Sequence, residues 1–170
     1  MTDAINMRTV VKPQLGDGFV AFNLVVPRPI SAGPGGSYLH LGVVESLAKG
    51  DDGAEPPLRW LVRGKSSAPS MAVRPGTRSA SYKKRVDNRS QVVVHPIAGG
   101  AAEVFAETPS VASYRWRPDG AAIAFTVLDE RPPARAAAYE RGIRPVGVAE
   151  DWRRLSPWMV EQGGEPRRSP

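Results

Sequence analysis

The chain has no cysteine and only two histidines among its 170 residues, which leaves little material for metal or thiol chemistry. Without cysteine there is no disulfide framework and no thiolate zinc site, and two histidines alone argue against a zinc site of any kind. The lack of cysteine is compatible with a reducing compartment. The sequence therefore assigns no metal-binding residue.

Long hydrophobic runs are also missing. The longest apolar stretches, such as Phe19–Val26, have the length of a strand and fall short of the roughly 20 residues that a membrane-spanning helix needs. The N-terminal segment carries Asp3, Arg8 and Lys12 and has no apolar core like that of a secretory signal. We expect a cytoplasmic protein with no membrane partner.

Glycine and proline are, by contrast, abundant, with 17 residues of each. They cluster between short apolar runs, which is typical of an all-β chain with many tight turns. A chain of 170 residues is long enough to bury the core of a single domain, so we treat residues 1–170 as one unit.

Positive charge is in excess, with a formal net charge of +6 at pH 7. A solvated strand face that discourages edge-to-edge pairing is the interpretation we favour, and a phosphate-binding patch is the alternative. Only Tyr82 lies among these charges as a platform for stacking, so we do not expect nucleic acid as the partner. The basic residues gather around one predicted hairpin, at Arg74, Arg78, Lys83, Lys84, Arg85 and Arg89.

A repeated hairpin is the strongest signal of fold. The run Trp116-Arg117-Pro118-Asp119-Gly120, followed by Ile123-Ala124-Phe125, has a weaker copy upstream at Arg74–Arg78 and Ser79–Tyr82. Aligning the two places Tyr82 on Phe125, 43 residues later, and a period of about 40–45 residues is typical of a β-propeller blade. We predict an all-β, partial β-propeller of three four-stranded antiparallel blades with insertions.

The predicted blades span about residues 7–62, 69–107 and 112–170. In the middle blade the strands are expected at 69–73, 79–85, 91–96 and 102–106. In the third blade they are expected at 112–116, 122–128, 157–160 and from 166 onward. The first blade is the least regular, with strands expected at 10–12, 19–22, 38–44 and 58–62.

Two insertions interrupt this pattern. The third blade carries 129–155, in which the alanine-rich stretch Ala134–Arg141 predicts one or two helical turns. The first blade carries the loop Pro27–Gly36 and a turn at Asp51–Gly53. An unrelated β-sandwich with similar turns is the alternative fold.

The order of motifs resembles the propeller of the prolyl-oligopeptidase family of serine peptidases, in its acylaminoacyl-peptidase and dipeptidyl-peptidase branch, and the related TolB-type propeller. The family pattern is Trp-Ser-Pro-Asp-Gly, Ile-Ala-Phe, a Leu-Trp-Val-Val-like strand and Gly-Gly-Glu-Pro-Arg. This chain has 116–120, 123–125, Pro157–Val160 and Gly163–Arg167 in that order, and its insertion with Glu150–Arg153 is also similar.

The resemblance covers about residues 7–170 and is strongest from residue 69. It departs from the pattern in the first blade, where Gly16 replaces the proline of the turn. It departs again in the second blade, where Val73 replaces tryptophan and Gly76-Thr77 replaces Asp-Gly.

The resemblance implies that catalysis belongs to a C-terminal α/β-hydrolase domain that this chain does not reach. A nucleophile elbow reads Gly-x-Ser-x-Gly, and both Gly64–Ala68 and Gly35–Leu39 lack its closing glycine. His40 and His95 lie in predicted strands and are interpreted as strand-face residues with local hydrogen bonds. We assign no catalytic and no cofactor-binding residue, expect no cofactor, and predict that the chain alone is not an enzyme.

Two functions remain open. One is a non-catalytic, substrate-gating propeller segment of such a peptidase, as the N-terminal part of an enzyme or the product of a truncated gene. The other is a stand-alone TolB-like or WD40-like module for protein–protein interaction. The expected partners are a peptide or protein, a C-terminal α/β-hydrolase domain, or missing blades. A downstream reading frame with Gly-x-Ser-x-Gly would favour the first function.

An arc of three blades leaves its end sheets uncovered, since closed propellers use typically 4–8 blades. We expect each end to expose an apolar face, with Val20 and Phe22 at one end and Trp158 and Val160 at the other. Such faces favour association. The chain is therefore expected to form oligomers, to aggregate, or to need a partner that supplies further blades.

Overall fold

Twelve strands form three separate four-stranded antiparallel sheets, each made from strands that are consecutive in sequence. The computed structural model of the chain describes residues 8–29, 31, 36–45, 56–87, 89–108, 111–129, 137, 140–142 and 154–169. Neighbouring strands in every sheet are also neighbours along the chain, as in propeller blades. The predicted fold class is confirmed, and the sheets are called the first, second and third blades below.

The strands lie close to the predicted positions, with differences in length. The first blade contains β1 (Thr9–Leu15), β2 (Phe19–Pro27), β3 (Ser37–Glu45) and β4 (Leu58–Val62). The second contains β5 (Ala72–Val73), β6 (Ser79–Val86), β7 (Arg89–Pro96) and β8 (Glu103–Thr108). The third contains β9 (Ser113–Trp116), β10 (Ala122–Leu128), β11 (Leu155–Glu161) and β12 (Arg167–Arg168). Strand β2 is longer than predicted and β5 is shorter.

Glycine closes the first hairpin of each blade. Gly18, Gly76 and Gly120 have φ angles of 71°, 66° and 69°, a conformation that glycine adopts without the steric cost of a side chain. The first blade departs from the repeat at Gly16 for a local reason. A Cβ atom on Gly16 would lie 2.2 Å from Cε1 of Phe19, so the Phe19 ring occupies the space that the expected proline would need.

Two apolar cores join the blades. The first core lies between the first and second blades and contains Phe19, Ala21, Leu41, Val43, Val62, Ala68, Met71, Ala80, Tyr82, Val93 and Ile97. The second core lies between the second and third blades and contains Ala72, Val92, Val94, Phe105, Ala106, Val111, Tyr114, Ile123, Phe125 and Val160. The second blade therefore contributes one face to each core.

Large and small residues alternate between the two faces of each blade. We call the face toward the earlier blade the preceding face and the other the following face. In the second strand of each blade the preceding face carries an aromatic ring, at Phe22, Tyr82 and Phe125. The following face carries a small residue beside it, at Ala21, Ser81 and Ala124. The second strands thus contribute a ring to one face and a small residue to the other, while Phe19 and Phe105 add rings to the following faces of the first two blades.

The expectation that Trp158 and Val160 lie on an uncovered face is wrong. Val160 is buried in the second core, and Trp158 packs against the same core. The cause is the register of β10 with β11, which pairs Ile123 with Val160 and Phe125 with Trp158. Residues that pair directly in an antiparallel sheet share a face, and that face is turned toward the second blade.

The insertions are described only in part. At the base of the third-blade insertion, the Asp129 N–H donates to the Arg154 carbonyl at 2.9 Å, and the Ser156 hydroxyl donates to Oδ1 of Asp129 at 2.7 Å. Ala137 lies in a helical turn and accepts a hydrogen bond from the Arg141 N–H at 3.3 Å. The predicted Asp51–Gly53 turn, the motif at 150–153 and most of the loop at 27–36 lie outside the described residues.

Candidate functional site

The innermost strands of the three blades surround a common pocket, here called the axial pocket. Its volume is about 400 Å³, and its lining comes from β1, β9 and the two residues that precede β5. Ligand sites are typically concave and lie where several structural units meet, and a ligand in this pocket would contact all three blades. The lining residues are Lys12, Pro13, Gln14, Ser70, Met71, Ser113, Tyr114 and Arg115.

The backbone around the axial pocket is irregular in two places. The pairing of β1 with β2 shifts register between Val11 and Gln14, which is a bulge, and Lys12 within it has a φ of 52°. Ser70, on the opposite wall, has a φ of 56°. A left-handed conformation costs a non-glycine residue roughly 1–2 kcal/mol, and bulges redirect side chains near functional sites. Both features shape the pocket at an energetic cost.

Gln14 fixes the junction of the first two blades at the pocket floor. Its Oε1 accepts a hydrogen bond from the Val73 N–H at 2.9 Å, and its Nε2 donates to the Met71 carbonyl at 3.3 Å. The side-chain amide therefore pairs with two backbone groups of the next blade. This arrangement holds the inner strands of the two blades in one relative position.

Ser81 organises the junction of the second and third blades. Its hydroxyl donates to the Ala72 carbonyl at 3.0 Å and accepts a hydrogen bond from Nε1 of Trp116 at 2.8 Å. The Tyr114 hydroxyl lies 2.9 Å from the Ser81 oxygen. Because the Ser81 proton is already used, Tyr114 donates in this pair. Burial raises the pKa of Tyr114 well above its usual range, so the phenol stays neutral and keeps donating.

Arg74 links the same two blades at the hairpin end. Its guanidinium carbon lies 5.4 Å from the centre of the Phe105 ring and 5.1 Å from that of Trp116. Its Nε donates to the Gly120 carbonyl and its Nη2 to Oε1 of Gln162, both at 2.9 Å. Arg74 therefore combines two cation–π contacts with two hydrogen bonds across the blade junction.

The hairpin contact leaves no space for a side chain at Gly120. A Cβ atom there would lie 2.3 Å from the carbonyl oxygen of Pro75, in the corresponding turn of the second blade. The two turns that identified the repeat in sequence are thus in direct contact in the fold.

The predicted basic cluster is largely used within the protein. Arg78 donates to Oε2 of Glu45 at 2.7 Å, and Nη1 of Arg89 lies 3.0 Å from Oε1 of Glu107. The Lys83 ammonium donates to the Val111 carbonyl at 3.0 Å, and Arg74 bonds as described. These contacts engage Arg74, Arg78, Lys83 and Arg89 of the cluster with other groups of the protein.

Neither histidine belongs to a catalytic arrangement in the described part of the chain. His40 lies on β3 with Nε2 at 3.0 Å from the Gly64 carbonyl, and His95 lies on β7 with Nδ1 at 3.1 Å from the Pro96 carbonyl. The described residues contain no group of three histidine or acidic side chains placed to hold a metal. No helix in this same part is long and apolar enough to cross a membrane.

Sequence reasoning did not identify the axial pocket, because its residues come from three distant segments. A partial signal was present at Lys12-Pro13, since proline inside a strand often marks a bulge. The left-handed backbone of Ser70 and the bridging roles of Gln14 and Ser81 left no comparable sign in the sequence.

Among known proteins, this chain is similar only in structure, to solved propeller structures, and not in sequence. No protein-family model matches the chain, and no curated protein is similar to it in sequence. Among solved structures, an acylaminoacyl peptidase in complex with Z-Gly-Gly-Phe-chloromethyl ketone matches 99% of this chain and 26% of its own, with a TM-score of 0.72 and 13% identity. The acylaminoacyl peptidase of Pyrococcus horikoshii matches 98% of this chain and 26% of its own, with a TM-score of 0.67 and 14% identity.

A third structure, the β-propeller domain of the trilobed protease from Pyrococcus furiosus, matches 96% of this chain and 43% of its own, with a TM-score of 0.59 and 10% identity. The chain spans about a quarter of the length of the two acylaminoacyl peptidases. At these identities the likeness defines the fold, which is that of a propeller segment. It agrees with the resemblance carried by the hairpin motifs.

Proposed function

We propose that this chain is the non-catalytic propeller segment of a serine peptidase of the prolyl-oligopeptidase type, where it restricts which peptides reach the catalytic site. The observation that supports the proposal most is the match of 99% of the chain to one part of an acylaminoacyl peptidase. The motif order of the third blade, from Trp116 to Arg167, supports it independently.

The axial pocket is the surface that we assign to contact with peptides. Lys12 and Arg115 line it beside Ser113 and Ser70, and none of its lining residues is acidic. Its walls are held by the Gln14 and Ser81 hydrogen bonds, so the shape that it presents is fixed before a peptide arrives. A pre-organised, cationic passage favours peptides with acidic residues or a free carboxylate.

A stand-alone protein-binding module is the second candidate. The observation that favours it is the exposed apolar preceding face of the first blade, to which Val10, Leu15 and Leu58 contribute. Exposed apolar patches mark interaction sites for other proteins.

The two candidate functions can be distinguished by peptidase assays of this chain alone and of this chain expressed together with the polypeptide that is encoded after codon 170. For the first candidate, we expect that the isolated chain hydrolyses no acylaminoacyl or prolyl chromogenic peptide and takes up no fluorophosphonate probe. The following polypeptide would carry Gly-x-Ser-x-Gly, hydrolyse peptides, and lose its preference for short ones when this chain is removed. Labelling of a serine in the isolated chain that disappears on replacement by alanine would contradict the proposal.

A further inference from the structure

A second cavity lies away from the axial pocket, between the first and second blades, and is here called the lateral cleft. Its volume is about 540 Å³. One wall is the end of β4 and the connection that follows it, and the other is the second half of β6. The lining residues are Leu61, Val62, Arg63, Ser66, Ser67, Pro69, Tyr82, Lys83, Lys84 and Arg85.

Tyr82 supplies the most specific feature of the lateral cleft. Its side chain belongs to the first core and the residue is only 8% exposed, yet its hydroxyl has no hydrogen-bond partner in the described part of the chain. The fully buried polar atoms without a partner there are Oγ1 of Thr108 and Nε1 of Trp158. The Tyr82 oxygen is not among them and therefore reaches accessible surface, where the residue lines the cleft. A hydroxyl at this position is available to a ligand.

Other donors line the same cleft. Oγ of Ser67 accepts a hydrogen bond from the Leu39 N–H at 3.1 Å, which leaves its own proton to donate. Lys84 is exposed, and it lies on the same face of β6 as Tyr82 because side chains two apart point the same way. Arg63 rests with its guanidinium carbon 5.8 Å from the centre of the Trp60 ring.

The lining of the lateral cleft is rich in basic residues and contains no acidic one. Four of its ten residues are lysine or arginine, and none is aspartate or glutamate. The Lys83 ammonium already donates a hydrogen bond to the Val111 carbonyl. Lys83 therefore contributes positive charge to the cleft while one of its donors is in use. A concave site of one charge sign raises the local concentration of ligands of the other sign. The apolar side of the same cleft is formed by Leu61, Val62 and Pro69.

We propose that the lateral cleft binds a small organic anion that carries a carboxylate or a phosphate next to an apolar group. The Tyr82 and Ser67 hydroxyls donate to the anionic oxygens, and Lys84, on the same face of β6 as Tyr82, supplies a positive charge. Leu61, Val62 and Pro69 contact the apolar part. The proposal does not depend on the peptidase function, because it uses no residue of the axial pocket.

The structure favours a small anion over a nucleic acid strand. Binding of single strands relies on aromatic faces on which bases stack. Tyr82 is packed in the first core and is only 8% exposed, so its ring offers no open face for stacking. The cleft volume of about 540 Å³ is in the range of sites for small molecules.

The experiment is a calorimetric titration of the full chain with phenyl phosphate, benzoate and inorganic phosphate. We expect saturable binding of at least one of the two aromatic anions and weaker binding of inorganic phosphate, which lacks the apolar part. The tighter of phenyl phosphate and benzoate identifies the preferred anionic group. Tyr82→Phe keeps the ring and removes the hydroxyl, and should weaken that ligand about tenfold, as expected for a hydrogen bond to a charged group.

Lys84→Gln provides a second variant at an exposed position, so it tests the proposal even if Tyr82→Phe disturbs folding. It should weaken binding about fivefold to tenfold. Lys65→Gln is the matched control, because Lys65 is an exposed lysine in the same connection that does not line the cleft.

Three results would overturn the proposal. One is the absence of saturable binding for both aromatic anions. The second is an equal loss of affinity in Lys84→Gln and Lys65→Gln, which would mean unspecific charge attraction. The third is tighter binding of a single-stranded oligonucleotide than of either aromatic anion, together with the same sensitivity to Lys84→Gln.

Discussion

The two ends of the arc differ, although the same repeat builds both. At one end the preceding face of the first blade carries large side chains, at Val20, Phe22, Leu24, Val26, Tyr38, Val44, Leu58 and Trp60. At the other end the following face of the third blade carries no aromatic ring, and its residues are Ser113, Arg115, Ala124, Thr126, Leu128, Leu155, Pro157 and Met159. The arc therefore has one apolar end and one more polar end.

The inner interfaces explain this difference. Within the arc, Tyr82 and Phe125 on the preceding faces pack in the cores shared with the earlier blades. The first blade presents its preceding face with no earlier blade beside it in the described part of the chain, and the third presents its following face. Each end therefore exposes the face that an inner blade buries against its neighbour.

The apolar end is an ordered aromatic cluster. The rings of Phe22 and Trp60 meet edge to face with centroids 6.0 Å apart, and His40 lies at the same distance from Trp60. Gly42 lies beneath these rings, since a Cβ atom there would be 2.7 Å from Cζ of Phe22. Arg28 stacks over Tyr38, with its guanidinium carbon 5.2 Å from the ring centre. This end is therefore a packed surface even without a covering sheet.

The two phenylalanines at aligned positions provide the sharpest test of the comparison. Phe125→Ala should destabilise the protein by about 3–5 kcal/mol, because it empties a place in the second core. Phe22→Ala should cost only about 1–2 kcal/mol, since the half-buried ring loses contacts on one side alone. Urea unfolding of both variants measures the difference. Equal losses would mean that the first-blade face is covered in solution.

Association should depend on the apolar end. Leu15 and Leu58 are 75% and 49% exposed on the preceding face of the first blade, and the variant Leu15→Lys/Leu58→Lys should weaken self-association about tenfold or more. Val104→Lys is the control for Leu15→Lys alone, because Val104 is 54% exposed on the second blade, away from both end faces, and each variant adds one charge. Light scattering at micromolar concentration measures both variants. An equal effect of the two would mean that association follows net charge and not the apolar end.

Alkaline pH should weaken the junction of the second and third blades. Burial raises the pKa of Tyr114 in the folded state, whereas the unfolded chain releases this proton near pH 10. The stabilisation is complete below pH 10 and is lost as the pH rises, at up to about 1.4 kcal/mol per pH unit. Thermal unfolding between pH 9 and 11.5 should show a steeper decline for the natural chain than for Tyr114→Phe. Identical slopes would contradict this assignment.

Most of the fold was predictable because turn chemistry and strand patterns are local. The turns at Gly76 and Gly120 each indicate the hairpin that they close. The β-branched run Gln91–Val94 likewise indicates strand β7. The face of a strand depends on register, and here the prediction failed for Trp158 and Val160. The alternation of Ile123 and Phe125 defines the inner face of β10, but only the pairing with β11 shows which residues join it.

The site was less predictable, because it consists of residues that only the packing of blades brings together. Tyr82 was identified as a platform for stacking, whereas the structure buries its ring and leaves its hydroxyl accessible. Lys84 and Arg63 are separated by 21 positions in sequence, and no motif connects them. The ion pairs of Arg78 with Glu45 and of Arg89 with Glu107 were likewise not predictable, because each partner is distant in sequence.

The succession of consecutive hairpins has a consequence for how the molecule folds. Each blade is built from consecutive strands, and the second closes over the shortest stretches of chain, while the coupling between blades is limited to nearest neighbours. The second blade is coupled on both sides and each terminal blade on one. Amide hydrogen exchange should therefore be slowest in β6 and β7, with unfolding that proceeds from either end toward the middle of the array.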